Sequence, residues 1–391
     1  MSPFDVIILG AGAAGLMCAI HAGRRGRRIV VLDHAPHVGA KILISGGGRC
    51  NFTNIGTLPE RFLSDNPHFC RSALSRYRPA DFVALVQKHG IAFHEKTLGQ
   101  LFCDGSARQI VAMLLAECAA AGVDIRVAHQ VTGVSRPGPF RVDTDHGSFA
   151  ADSLVLATGG LSIPKMGATG FAYDVAGRFG LRLTEIRPGL VPLTFGDDLL
   201  ELMRALSGVS LDTLVGLDRR AFREAMLFTH RGLSGPAVLQ ISSYWRQGSI
   251  SINLLPGRDA EALLLERKRT RPKAGLASVL AEVLPARLAQ AMAASAGTEG
   301  MRLADMPDRV LRALAARLSH WDVTPSGTEG YAKAEVTCGG VDTRDLSSRT
   351  MAANTVPGLF VIGEAVDVTG WLGGYNFQWA WASGWCAGEA V

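Results

Sequence analysis

Gly10-Ala-Gly12-Ala-Ala-Gly15 stands between an apolar run, DVIIL, and a helix-like stretch. Glycines at this spacing suit a turn that a pyrophosphate can approach. Gly10 permits the tight bend, Gly12 leaves bare backbone for the ligand, and Gly15 lets helix and strand pack closely. The pyrophosphate would lie over the free N–H groups of Ala13 and Ala14, where the helix dipole favours negative charge. Asp33, with His34 beside it, lies 18 residues past Gly15 at the end of a second apolar run, IVVL. A carboxylate there accepts hydrogen bonds from ribose hydroxyls. Strand, glycines, helix, strand and acid in that order are a dinucleotide-binding signature.

Other segments carry the same bare-backbone chemistry. KILISGGGRCNFTN (41–54) holds Gly46, Gly47 and Gly48 in a row, with Lys41 and Arg49 placed to balance phosphate charge and Cys50 and Asn51 following. A glycine triplet is entropically costly unless something needs bare backbone. SLVLATGG ends in Ala157, Thr158, Gly159 and Gly160, and the tail carries Gly363, Glu364, Asp367, Gly373, Gly374, Tyr375, Asn376 and Gln378. The first motif alone does not separate NAD from FAD. NAD leaves the triplet and the C-terminal glycines unexplained, whereas the longer FAD reaches them. A helix opening near Gln378 would point its N-terminus at the flavin edge. Cys50 has no neighbouring partner cysteine, so it reads as a small packed residue, not as a redox thiol.

These residues need a scaffold. DVIIL and IVVL read as strands buried on both faces of a parallel sheet, with a helix over 13–25 between them. Helices are predicted over 71–89 and 106–121. Short β segments from 123 to 149 (VDIRVA, VTGVSR, FRVDT, SF) predict an antiparallel meander, and SLVL a further buried strand. VPLTF and SISINL predict a separate antiparallel sheet, and 260–318, rich in Ala, Leu and Arg, predicts helices. The fold class expected is α/β: a Rossmann-like dinucleotide domain with parallel sheet and meander, discontinuous over 1–187 and 337–391. An inserted substrate or cap domain spans 188–336, its β part about 188–258 and its helical part about 259–320.

Bulk properties narrow the classes. The chain has 391 residues, 48% hydrophobic and 19% charged, which is globular in character. A net charge of +5 suits anionic ligands but is too weak to argue for nucleic acid alone. The basic run Arg24, Arg25, Arg27 and Arg28 reads as the solvated end of a helix. Seven cysteines without C-x-x-C or zinc spacing predict reduced thiols, no metal and a cytoplasmic protein. The apolar stretch at the start is 15 residues, short of the roughly 20 that span a bilayer, and no basic region leads it. No membrane association is expected.

GAGAAGLMCA, KILISGGGRCNFTN, LATGGLSIPKMGATG, FTHRGLSGPAVLQIS, VTCGGVD and GLFVIGEAVDVTGWLGGYNFQWAWASG together resemble a family of bacterial NAD(P)/FAD-dependent oxidoreductases, the aminoacetone-oxidase-like flavoproteins. The resemblance spans almost the whole chain. It implies FAD bound by a glutathione-reductase-like domain with an inserted domain. It also implies backbone contact of Val131 with adenine, a second FAD contact at 158–160, and Gly363, Glu364 and Asp367 along the ribityl chain and phosphates.

The expected function is an FAD-dependent oxidoreductase acting by hydride transfer on a small organic substrate, with Lys165 and His230 as candidate catalytic residues. Only one GxGxxG is present, so NAD(P)H, if it is the donor, docks transiently at the flavin. A small-molecule partner is expected and a nucleic acid is not. The alternatives are an RNA-modifying or RNA-binding flavoprotein, which a pI near 8.9 permits, and a flavin redox sensor without turnover.

Overall fold

In the computed structural model, which describes residues 4–298 and 300–391, the chain divides into two units: 1–187 with 336–391, and 188–335.

The first unit is built on a seven-stranded sheet. Phe4–Leu9 lies parallel to Ile29–Leu32, which lies parallel to Asp124–Arg126 at one edge. The first two strands are continuous runs of β-branched and leucine side chains, buried from Val6 to Leu9 and from Ile29 to Leu32. Such runs suit a sheet covered on both faces. Gly147–Leu156 is a single ten-residue strand that changes partners along its length. Its first half pairs antiparallel with Phe140–Thr144; its second half runs parallel to Phe4–Leu9 and to Leu359–Val361.

Two details depart from the sequence reading. Asp124–Arg126 belongs to the parallel sheet and not to the meander, which is Val131–Ser135, Phe140–Thr144 and the start of Gly147–Leu156. The predicted helix over 71–89 is two helices, Cys70–Arg76 and Pro79–Lys88. Pro79 disfavours helical backbone at Arg78, which is extended.

Helix Ala13–Arg24 packs against the C-terminal helix Tyr375–Gly388 through small residues. A Cβ on Gly384 would fall 2.5 Å from Ala14 O, and one on Gly388 would fall 2.7 Å from Cys18 O. The tryptophans of the C-terminal helix are core. Trp381 stacks on Phe82 at 4.3 Å and donates its indole N–H to Phe52 O, while Trp379 donates to Gly363 O. The run Arg24–Arg28 is not free. Arg25 and Arg27 donate to C-terminal carbonyls, Arg28 pairs with Asp5, and Arg24 pairs with Glu117.

The second unit holds a seven-stranded sheet in the order Trp321–Val323, Ile250–Asn253, Ser210–Leu217, Arg220–Phe228, Gly232–Ser234, Leu193–Thr194, Gly327–Thr328. Its centre is the hairpin Ser210–Leu217 with Arg220–Phe228. Helices Ala260–Thr270, Leu276–Leu280, Ala286–Ser295 and Asp308–Ser319 follow. Leu264, Leu288 and Leu311 are fully buried beneath them. Among the described residues, no helix is long and apolar enough to cross a membrane.

Candidate functional site

The bare-backbone segments of the first unit converge at the carboxyl ends of its parallel strands, the position where open α/β sheets take ligands. Each glycine of the first motif has a different reason to lack a side chain. Gly10 has φ 110°, and a Cβ there would stand 2.4 Å from Ala157 O. A Cβ on Gly15 would stand 1.9 Å from Gly10 O. Gly12 is different: its φ is −86°, and no atom of the described residues lies within 4 Å of where its Cβ would be. The space over Gly12 is open, and no side chain caps the helix that begins at Ala13. Gly10 and Gly15 serve the fold; Gly12 leaves room for a ligand.

Asp33 braces this turn. One carboxylate oxygen accepts the Ala11 N–H at 2.7 Å and the other accepts the Ala35 N–H at 2.8 Å. His34 lies beneath Gly167, where a Cβ would meet its Nε2 at 2.5 Å.

Gly46, Gly47 and Gly48 have φ of 56°, 66° and 84°, three left-handed residues in succession. Only glycine adopts such a run without steric cost. A Cβ on Gly46 would press on Phe102 and Asn51 N, whereas Gly47 faces open space. Arg49 is exposed, and its side chain has no partner among the described residues, so it is free to meet an anion. Cys50 is fully buried, and burial pushes its thiol up to about 12, aided slightly by Cys103 and against a smaller lowering by the Ser45 hydrogen bond. It stays protonated at neutral pH, which removes any thiolate role.

Lys41 has protein partners that its type alone did not show. Its partly exposed ammonium donates to Glu364 Oε2 at 2.7 Å and Ser162 Oγ at 2.6 Å. Glu364 Oε1 accepts Ser162 Oγ–H at 2.9 Å and the Thr337 N–H at 2.9 Å. Burial works to raise the Glu364 carboxyl, but the Lys41 charge and these donors outweigh it and hold the group below the usual range. Thr337 Oγ1 also accepts the Leu161 and Ser162 N–H groups, and a Cβ on Gly160 would stand 2.4 Å from it. The Lys41–Glu364 pair thus locks the loop that follows Ala157, Thr158, Gly159 and Gly160. Ser162 and Thr337 were missed as site residues, although both lie inside the family-like stretches LATGGLSIPKMGATG and VTCGGVD. Thr158 Oγ1 is buried with no hydrogen-bond partner among the described residues. An orphaned hydroxyl in a ligand-facing turn marks where a partner is missing.

Several C-terminal residues are likewise committed to protein. Gln378 is fully buried; its side chain bonds Thr53 Oγ1 at 2.6 Å and donates to Tyr77 O at 2.9 Å. It anchors the helix through these protein partners. Tyr375 OH is held by Arg61. Asn376 pins the Gly370–Trp371 turn through both ends of its amide. Asp367 accepts the Asp65 N–H at 2.9 Å, and burial, the largest influence, raises its carboxyl. The side-chain amides of Asn51 and Gln100 meet at 3.0 Å. Gly363, Gly373 and Gly374 have φ of 67°, 105° and 94°. Gly373 O accepts from Asn54 Nδ2 at 2.8 Å, and a Cβ on Gly374 would hit Thr53 O at 2.5 Å. Gly373 and Gly374 lead into the uncapped N-terminus of the last helix, whereas Gly363 lies against its middle, bonded to Ser383 and Trp379. Val131 begins its meander strand at the sheet edge. Lys165 is exposed in the turn Pro164–Met166, and His230 is exposed in the second unit, between Arg220–Phe228 and Gly232–Ser234.

A family model described as an HI0933-like protein Rossmann domain matches residues 4–390. The chain belongs to that family. Within it, the chain is 52% identical over 395 residues to the ribosomal RNA dihydrouridine synthase of Escherichia coli, covering all of this chain and 99% of that one. It is 46% identical to the ribosomal RNA dihydrouridine synthase of Haemophilus influenzae, over 98% of each chain. It is 28% identical to a 3-dehydro-bile acid delta(4,6)-reductase of Clostridium scindens, again over 98% of each. A solved 3-ketosteroid dehydrogenase from Rhodococcus jostii superposes with TM-score 0.51 at 14% identity, over 99% of this chain and 96% of that one, which bears on fold alone.

This HI0933-like chain is an FAD-dependent oxidoreductase with a Rossmann-like domain and an insert, as the motifs led us to expect. Two expectations are corrected. The small organic substrate, and the view that nucleic acid is an unexpected partner, are overturned by the relatives at 52% and 46% identity, whose names place ribosomal RNA in their reaction. The RNA-modifying alternative is the better match.

The residues fit FAD. Open space over Gly12, an uncapped helix start, the left-handed Gly46–Gly48 turn, unpartnered Arg49 and the orphaned Thr158 hydroxyl are what an extended dinucleotide requires.

Proposed function

We propose that this chain reduces uridine to dihydrouridine in ribosomal RNA, with FAD as its cofactor and NAD(P)H as electron donor. The observation that carries this is the 52% identity, end to end, with a ribosomal RNA dihydrouridine synthase. Bound FAD supplies hydride chemistry. The chain's own residues bind and orient it: Gly12 and the start of helix Ala13–Arg24 take the pyrophosphate, Asp33 the ribose side, and Arg49 a phosphate oxygen. Thr158 and Gly159 would hold the cofactor between its two ends, and the N-terminus of Tyr375–Gly388 would favour negative charge on the reduced flavin.

Saturating the C5–C6 double bond of uracil takes a hydride equivalent and a proton, so one NAD(P)H is oxidised per uridine reduced. Lys165 and His230 are the candidate proton donors. A cytoplasmic place follows from that substrate.

The test is anaerobic. Enzyme reduced by NADPH is mixed with protein-free ribosomal RNA, and flavin absorbance is followed. Return of the oxidised spectrum with RNA, and not with small enones or amines, supports the reading. Reoxidation by the small molecules alone contradicts it.

A further inference from the structure

The helical part of the insert carries most of the chain's net charge. With Arg258 just before it, that part (residues 258–320) contains eleven Lys and Arg against seven Asp and Glu, a net +4 of the chain's +5. Most of those acids are spent locally. Glu282 accepts from Arg267 and Arg271, Asp308 from Lys268, and Glu261 from Arg312. Asp259 caps its own helix by accepting the Ala262 N–H. Some cations are left over. Arg269, Lys273 and Arg302 are exposed and form no side-chain hydrogen bond or ion pair among the described residues.

The backbone brings these three together. Helix Ala260–Thr270 ends one residue past Arg269, and the chain turns through Arg271, Pro272 and Lys273. That turn lies along the segment starting at Arg302: Gly275 bridges Arg302, Leu303 N–H donates to Ala274 O at 2.9 Å, and Ala304 N–H donates to Pro272 O at 2.9 Å. Arg302 thus stands beside the Lys273 turn, and Arg271 and Arg267 flank it with one carboxylate, Glu282, shared between them. Asp305 follows on the same segment and trims the strip by one charge.

A solvated surface ordinarily interleaves both signs; here most of the acids are drawn into pairs while Arg269, Lys273 and Arg302 stay in water. We propose that the strip Arg269–Lys273–Arg302 grips the phosphate backbone of the RNA substrate, holding it by charge and not by sequence. This rests on the RNA-reducing function proposed above. The strip is not part of the FAD cradle, which lies in the other unit. Guanidinium and ammonium groups free of internal partners can each displace one condensed counterion from a phosphate.

The experiment compares wild-type holoenzyme with Arg269→Ala/Lys273→Ala/Arg302→Ala and with the charge-keeping Arg269→Lys/Arg302→Lys. Binding of protein-free ribosomal RNA is measured by filter retention over a salt series. Dihydrouridine formation and flavin content are measured alongside, and a urea melt checks folding. The triple alanine variant is expected to bind on the order of ten- to a hundredfold more weakly at moderate salt. Its log–log salt slope should fall by about 2 to 3, near one per lost phosphate contact. KM for RNA should rise with kcat and flavin content unchanged, and the lysine variant should keep most of the slope. If wild type reduces the RNA while the triple variant keeps its affinity and slope, the strip is not the grip and the functional reading stands. If wild type neither binds nor reduces the RNA, both fall.

Discussion

Replacing Gly12 by alanine separates the demands of the cofactor from those of the fold. Gly12 has φ −86° and ψ −170°, a conformation alanine adopts freely, and no atom lies within 4 Å of the added methyl. Alanine is a poorer helix N-cap than glycine, but it also loses less entropy on folding; the two nearly cancel, leaving about 0.5 kcal/mol or less. With FAD present, the same methyl occupies the space we assign to the pyrophosphate. Overpacking of that kind costs about 1–3 kcal/mol, or roughly five- to a hundred-and-fiftyfold in affinity. Gly15→Ala is the opposite case. Its methyl would stand 1.9 Å from Gly10 O, so backbone must move, at about 3 kcal/mol or more. The assay is a pair of measurements on each variant: urea unfolding of the flavin-free protein, and titration with FAD followed by flavin fluorescence. Gly12→Ala should unfold like wild type and bind FAD poorly; Gly15→Ala should fail in unfolding. Wild-type FAD affinity in Gly12→Ala, or a loss of stability matching that of Gly15→Ala, would refute the division of labour among these glycines.

Thr158→Val removes a buried hydroxyl that has no partner among the described residues. The flavin-free protein should therefore be as stable as wild type or slightly more so, while FAD affinity drops by about 1 kcal/mol; melts with and without FAD measure the difference. Lys41→Met leaves Glu364 without its cation, whereas Lys41→Met/Glu364→Gln removes both charges. Discounted for partial exposure of both groups, the coupling between the two sites should be about 1–2 kcal/mol, read from a double-mutant cycle in urea. Glu117 accepts from Lys88, His89 and Arg24. Burial opposes its charge, but these donors prevail and hold the carboxyl near 2, below its ordinary 4.5. Its folded value is the lower one, so its contribution is complete above the ordinary value and is lost as pH falls towards 2. Glu117→Gln should cost about 1–3 kcal/mol at neutral pH and flatten the acid loss of stability, measured as urea midpoints across that range.

The parallel sheet was legible because buried runs such as DVIIL and IVVL leave no ambiguity of period. The glycines were legible because φ near 60–110° is a demand few other residues meet. The length and change of partner of Gly147–Leu156 were not, since a strand that pairs antiparallel and then parallel shows one unbroken apolar pattern only in part. Nor was the hairpin Ser210–Leu217 with Arg220–Phe228, whose turn at Asp218-Arg219 lacks a glycine and instead puts Asp218 at φ 50°. Within the site, sequence identified which residues gather but not what they bond to. Lys41, Gln378 and Asn376 look like ligand contacts by type, yet their partners are protein groups more than a hundred residues away or in the adjoining turn. Substrate class lay beyond composition, because a net +5 spread over 391 residues hides a helical segment that carries +4.

The central claim is tested most directly by nucleoside mass analysis of protein-free bacterial ribosomal RNA incubated with holoenzyme and NADPH. The account predicts uridine converted to a nucleoside heavier by two hydrogens, formed only when FAD is bound. Ribosomal RNA recovered unchanged, from enzyme whose flavin NADPH has demonstrably reduced, would contradict it.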